Sequence, residues 1–297
     1  GPVIIVIGLS VAAVATQMAM GKSNGEQVID YKLSIIVSTI TFAVTVLVTI
    51  FGKRFLRLVP ILIGIAVGYS VAAALGLVEF EQVVEAPWFK VPQFVSPEVN
   101  WMAALFMLPV AIAPAIEHIG GIMAIGKVTG KDYASNPGLD KTLAGDGLGV
   151  CVAGLIGGPP VTTYGEVTGA VMLTKNDNPL IMTYAAIFAI FMAFFGKFNA
   201  FLNSIPLPVM GGIMILLFGT IASLGLKALI DAKVDITIPR NLVIISTTLI
   251  TGVGGYTIEI GSFPFAGVGL ASVLAIVLNA ILPHPKDEKS EEIEVDL

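Results

Sequence analysis

The chain has 297 residues, of which 56% are hydrophobic and only 12% charged, with a mean hydropathy of +0.92. These values lie far outside a soluble globular profile and exclude one large soluble core, because a chain of this length cannot bury so many apolar residues against one another. The net charge of -5, with an acidic tail at Asp287-Glu288-Lys289-Ser290-Glu291-Glu292, excludes a nucleic-acid-binding surface, and the single cysteine, Cys151, excludes a disulfide framework or a cysteine metal site.

Runs long enough to cross about 30 Å of hydrocarbon recur along the sequence. They fall at 2–20, 33–51, 58–77, 101–126, 142–157, 179–195, 206–226, 241–256 and 265–282, with a half-length run after Glu166. This predicts an all-α polytopic membrane protein of about ten crossings. The first three runs carry Gly and Ala for close helix contact and no buried acid or base, so they read as scaffold. Residues 78–100 form the longest polar connection and read as an external loop. Trp88 and Trp101 suit either an interfacial belt or plain loop packing.

The run 101–126, WMAALFMLPVAIAPAIEHIGGIMAIG, differs from the others. Glu117 lies at least roughly 13 Å from either end at about 1.5 Å per residue, so its carboxylate must face protein or water. That predicts a substrate or proton site. His118 points about 100° away around the helix and reads as a buried, neutral imidazole bonded to backbone. The loop 127–141 reads as solvated, and Asp146, within about two turns of the cytoplasmic end of the next run, as a lesser candidate for which a cap or interfacial role stands beside a buried one.

The most distinctive stretch is CVAGLIGGPPVTTYGEVTGAVMLTK, residues 151–175. Helix cannot pass Gly157-Gly158-Pro159-Pro160, because proline lacks an N–H and crowds the preceding turn. The β-branched run Val161-Thr162-Thr163 favours extended backbone and needs a partner strand at membrane depth. Helix resumes at Glu166, where free N–H groups and a partial positive charge suit an anion or a ligand acceptor. Downstream, Pro206 and Pro208 sit in the first turn of a span, and Gly211-Gly212 permit tight helix contact. Asp231, Lys233 and Asp235 mark a cytoplasmic loop, and Glu259 an exposed external turn. Twelve of the 16 Lys and Arg residues, Lys53, Arg54, Lys127 and Lys141 among them, fall on one side if the half-run after Glu166 completes a crossing. The positive-inside bias then places both termini in the cytoplasm.

Taken together, AIEHIG (115–120), GGPPVTTYGEVTG (157–169) and SIPLPVMGG (204–212) resemble the nucleobase–ascorbate transporter family, in particular its bacterial uracil permease type. The resemblance covers essentially the whole chain. It implies a fourteen-segment inverted-repeat transporter of which this chain holds about ten segments, one a broken helix with a short strand, the first four being absent. It divides the chain into a gate subdomain (1–80 and 201–282), an external loop (81–100), half of the core subdomain (101–200) and an acidic cytoplasmic tail (283–297). It assigns substrate binding to Glu117, Glu166, Gly165 and Tyr164, and proton coupling to Glu117. The implied function is proton-coupled uptake of a nucleobase across the bacterial inner membrane, with uracil first and xanthine or another base open. The implied partners are the base, the proton, the lipid bilayer and a second copy through the gate. No cofactor, metal, nucleic acid or enzymatic activity is implied.

Two positions depart from the pattern. Gly121 stands where uracil permeases carry a histidine, which leaves the coupling partner open. Val167 replaces an Asn of the signature, which leaves the base open. Three other readings stand beside transport. A non-transporting fragment or assembly subunit fits the expected absence of segments. An anion transporter of the same architecture favours a cation where Glu166 stands, and an intramembrane enzyme needs paired catalytic groups that two histidines, one of them His284, do not supply.

Overall fold

A computed structural model describes residues 1–53, 56, 58–164, 166–260 and 263–283. Gly165, His284 and the acidic tail lie outside the described residues. The helices follow the apolar runs in order. They are α1 (Pro2–Ser10), α2 (Ala12–Ala19), α3 (Tyr31–Phe51), α4 (Pro60–Ala74), α5 (Phe80–Glu85), α6 (Trp101–Val110), α7 (Ile112–Thr129), α8 (Leu139–Leu155), α9 (Glu166–Thr174), α10 (Leu180–Ala193), α11 (Gly196–Asn203), α12 (Leu207–Asp231), α13 (Pro239–Val253) and α14 (Gly267–Ile281). Two short antiparallel hairpins, β1 (Lys22–Ser23) with β2 (Glu26–Gln27) and β3 (Thr257–Ile260) with β4 (Phe263–Ala266), close turns between helices, and Glu259 is exposed in β3. The fold is that of an all-α polytopic membrane protein. Pro2–Ala19, Tyr31–Phe51 and Leu207–Asp231 are each long and apolar enough to cross a bilayer, with α4, α10 and α14 as shorter apolar helices.

The structure adds breaks that run length alone does not reveal. The first run is interrupted at Val11. The run 101–126 parts at Ala111, where Pro114 has no N–H for the Val110 carbonyl and its ring crowds that turn.

The described residues form two compact units. One comprises Gly1–Val11, Trp101–Ala113 and the described part of Phe218–Leu297. Here α13 buries Ile244, Thr248 and Gly252, one helical face at four-residue spacing, and Gly252 meets Val6 of α1 and Ala271 of α14. The Thr248 hydroxyl donates to Ile244 O at 2.6 Å, so a polar residue is buried with its donor satisfied inside its own helix. Arg240 closes the end of α14 by donating to Asn279 O at 2.7 Å and Leu282 O at 3.2 Å, where the carbonyls lack helical partners.

The other unit comprises Ala12–Asn100 and Pro114–Leu217. Asp30 caps α3 by accepting from Lys32 N at 3.0 Å and Leu33 N at 3.1 Å. The buried residues of α3 are Val37 and the small Ser34, Ser38, Thr41 and Thr45, with the Thr41 and Thr45 hydroxyls donating four residues back at 2.8 and 2.7 Å. Opposite Thr45 and Thr41 stand Gly64 and Gly68 of α4, so the two backbones approach closely through small groups. The start of α12 joins this core: Val209 and Pro208 are fully buried, and Tyr69 and Ser204 hydroxyls lie 2.9 Å apart. The expected external loop is tied down. Lys90 N donates to Phe194 O at 2.9 Å, and Gly196 N donates to Trp88 O at 3.0 Å. Lys197 donates to Val84 O at 2.9 Å, in the last turn of α5, and sits 5.3 Å over the Trp88 ring.

Candidate functional site

The site region begins where α8 stops. Gly157 takes φ +79°, Gly158 N donates to Ala153 O at 2.8 Å and Gly157 N to Gly154 O at 3.2 Å. This is a Schellman ending, which satisfies the last carbonyls before the prolines. The helix therefore stops at a left-handed glycine, one step earlier than the proline argument alone requires. A Cβ at Gly157 would also lie 2.6 Å from Val95 O, so both conformation and space call for glycine. Residues 158–164 are neither helix nor strand, and Val161-Thr162-Thr163 has no ladder partner among the described residues. Helix resumes at Glu166, the residue expected to restart it.

On α7, Glu117 is half-buried and His118 is 4% exposed. Among the described residues, His118 bonds to a side chain and not to backbone. Its Nδ1 lies 2.5 Å from Thr163 Oγ1, in the irregular stretch 45 residues on, and 3.7 Å from Asp146 Oδ2 on α8. Asp146 is not a cap: it is the eighth residue of α8, with its side chain 22% exposed, in keeping with the buried alternative. The physical reason is that an imidazole and a carboxylate in apolar helices find each other and a hydroxyl more favourably than they stay unpaired. Gly121, one turn beyond Glu117, gains a role too. A Cβ there would stand 3.0 Å from Thr163 Cγ2, so the absent side chain leaves room for the break to lie on α7.

The structure thus brings the turn bearing Glu117 beside the stretch leading into Glu166, through their neighbours His118 and Thr163. Tyr164 is 58% exposed, Gly165 is outside the described residues, and Glu166 is placed by its backbone at the first position of α9. Thr163 is the participant that sequence reasoning missed, and Asp146 the one it ranked as a lesser candidate. An acid inside an apolar run was the available signal for Asp146; Thr163 had only its β-branched shape. Among the described residues, no group of three His, Cys, Asp or Glu is arranged to hold a metal.

The loop 127–141 exposes its charged side chains to solvent, as expected, and is also tied by side-chain bonds. Asp132 accepts from the Ser135 hydroxyl at 2.6 Å and from Ser135 N and Ala134 N, which holds its carboxyl below the usual carboxylate range. Lys131 Nζ donates to Asp177 Oδ2 at 2.6 Å, joining the loop after α7 to the loop after α9. The bond to Asp177 raises the Lys131 ammonium, and the same bond lowers the Asp177 carboxyl. The lowered Asp177 contributes stability above the ordinary carboxylate pKa, lost as pH falls through its folded value. The raised Lys131 contributes below the ordinary lysine pKa, lost as pH rises through its folded value. Between these limits the pair is constant. Asp177→Asn is therefore expected to lower melting temperature slightly at neutral pH in low salt and not at all in high salt, because both groups are exposed and screened. A loss that persists in high salt contradicts this account.

Comparison with known proteins adds an independent finding. Residues 1–261 match the model of the permease family. The chain is 50% identical over 288 residues to a probable uracil permease of Haemophilus influenzae, covering 97% of this chain and 69% of that protein. It is 51% identical over 292 residues to a probable uracil permease of Pasteurella multocida, covering 98% and 69%. It is 43% identical over 303 residues to a uracil permease of Bacillus subtilis, covering 99% and 70%.

Proposed function

The chain belongs to the permease family, and on that premise we propose that it carries out proton-coupled uptake of a nucleobase, uracil before xanthine or another base. It works in the bacterial inner membrane as a homodimer, with both termini cytoplasmic. Residues 101–200 supply half of the moving core, residues 1–80 and 201–282 the gate, and 81–100 the external loop between them. The protein performs no covalent chemistry.

The contact between His118 and Thr163 supports this reading most directly, since it sets Glu117 and the approach to Glu166 side by side. Uracil presents ring N–H donors beside carbonyl acceptors. Carboxylates at Glu117 and Glu166 accept from the N–H groups, and backbone N–H groups at Gly165 and the start of α9 donate to a carbonyl oxygen, with Tyr164 lining the same place. A base lacking one of those groups leaves a buried partner unpaired and is rejected strongly. Glu117 is the proton carrier: ionised it is costly to move through a closed site, and protonated it is not.

The test is uptake of radiolabelled uracil by proteoliposomes under an imposed pH gradient, with unlabelled bases as competitors. Uptake should rise as the outside is made more acidic, and uracil should compete better than thymine, cytosine or xanthine. Absence of saturable uracil uptake, with the protein folded and inserted, overturns the proposal. Better competition by xanthine moves the substrate but not the mechanism.

A further inference from the structure

We infer that His118 and Thr163 form a latch that positions the irregular stretch 158–164, and with it the substrate-binding residues at its end. The inference rests on the nucleobase-transport reading and gives two residues outside the proposed ligand contacts a defined part in affinity. Three observations carry it.

The first is that regular secondary structure does not hold the stretch. It belongs to no helix or strand, and between the Gly158 N–H bond to Ala153 and the start of α9 no backbone ladder bond is made among the described residues. The second is the bond itself, at 2.5 Å from an imidazole that is 4% exposed. Such a bond is made away from competing water and is therefore worth more than one at the surface. The third is its surroundings. The Asp146 carboxylate, 3.7 Å from Nδ1, favours the tautomer with its proton on Nδ1, so the imidazole donates and Thr163 Oγ1 accepts. Nε2 is buried with no hydrogen-bond partner among the described residues, so the ring is held from the Nδ1 side. Gly121 completes the seat by leaving the Thr163 methyl room against α7.

Thr163 is two residues before Gly165 and three before Glu166. Releasing it lets the substrate-binding turn shift, and a misplacement on the order of 1 Å at such a site costs up to about a hundredfold. His118 and Thr163 are thus positioning residues: their loss should weaken binding while leaving the proton carrier intact.

The experiment uses the full protein in proteoliposomes, with uracil uptake read as half-saturation and maximal rate per inserted transporter. His118→Phe and Thr163→Val each remove one side of the latch, and Thr163→Val keeps the side-chain shape should the phenylalanine variant fail to insert. Each is expected to raise half-saturation about tenfold with the maximal rate within about twofold. His118→Asn, whose amide N–H can replace Nδ1–H, and Thr163→Ser should each restore wild-type half-saturation to within about threefold, with an unchanged pH profile. The double variant His118→Phe with Thr163→Val should be no worse than either single change, since both break one bond. Unaltered affinity in Thr163→Val, additive losses in the double variant, or a His118→Asn as impaired as His118→Phe each overturn the latch. If wild-type protein takes up no uracil, the transport reading fails instead, and the two failures are distinct.

Discussion

Glu117→Gln should abolish proton-driven accumulation of uracil, by about a hundredfold or more, while leaving exchange of uracil across the membrane in place. The amide is a neutral stand-in for the protonated carboxyl: it keeps a hydrogen-bonding group on the half-buried face of α7 and cannot release a proton. A group that must change protonation once per cycle contributes about 10²–10⁴ when positioned for the task. Accumulation under a pH gradient and counterflow exchange without one, measured on the same proteoliposomes, separate the two functions. Normal accumulation by Glu117→Gln would remove Glu117 from the coupling mechanism. Glu166→Gln differs in kind. It weakens a charge-assisted hydrogen bond of about 1.5–3 kcal/mol, so half-saturation should rise roughly ten- to a hundredfold with coupling retained.

The second large effect concerns folding. Gly211 and Gly212 open α12 against other backbones: a Cβ on Gly211 would lie 2.5 Å from Ala19 Cα, and one on Gly212 would lie 2.5 Å from the Ser38 carbonyl oxygen. Neither neighbour is the far end of a flexible side chain, so the helices themselves must separate. Gly211→Val and Gly212→Val are expected to cost about 3 kcal/mol or more each, at or above the upper end for overpacking, and to leave little folded protein in the membrane. Gly219 lies on the same helix with nothing within 4 Å of its Cβ position. Gly219→Ala should therefore be neutral or stabilising by up to about 1 kcal/mol, through helix propensity alone. Thermal melting of the detergent-solubilised protein reads all three. Equal stability of Gly211→Val and Gly219→Ala would show that close backbone approach is not what selects glycine at 211.

Much of this protein is legible because a bilayer turns composition into architecture. The order of the helices, the membrane class and the restart of helix at Glu166 depend on run length, on where Gly and Pro interrupt it, and on nothing distant in sequence. The paired glycines of SIPLPVMGG likewise announced a tight contact, and α12 makes one. Breaks at Val11 and Ala111 were hidden, because hydropathy is blind to a kink that keeps the run apolar.

At the stretch 157–166 the division is clearest. Sequence alone determined that helix must end there, that the residues past the prolines are not helical, and that a carboxylate stands where helix begins again. Only tertiary structure decided that the stop is a left-handed Gly157 closed by carbonyl bonds, and that Thr163 rests on α7 under His118. The same holds for Asp146, a lesser candidate in the sequence that stands at the side of that imidazole. The reason is physical: run length, proline and glycine act through bonds within a few residues, whereas the pairing of one imidazole, one hydroxyl and one carboxylate depends on which helix faces meet in space.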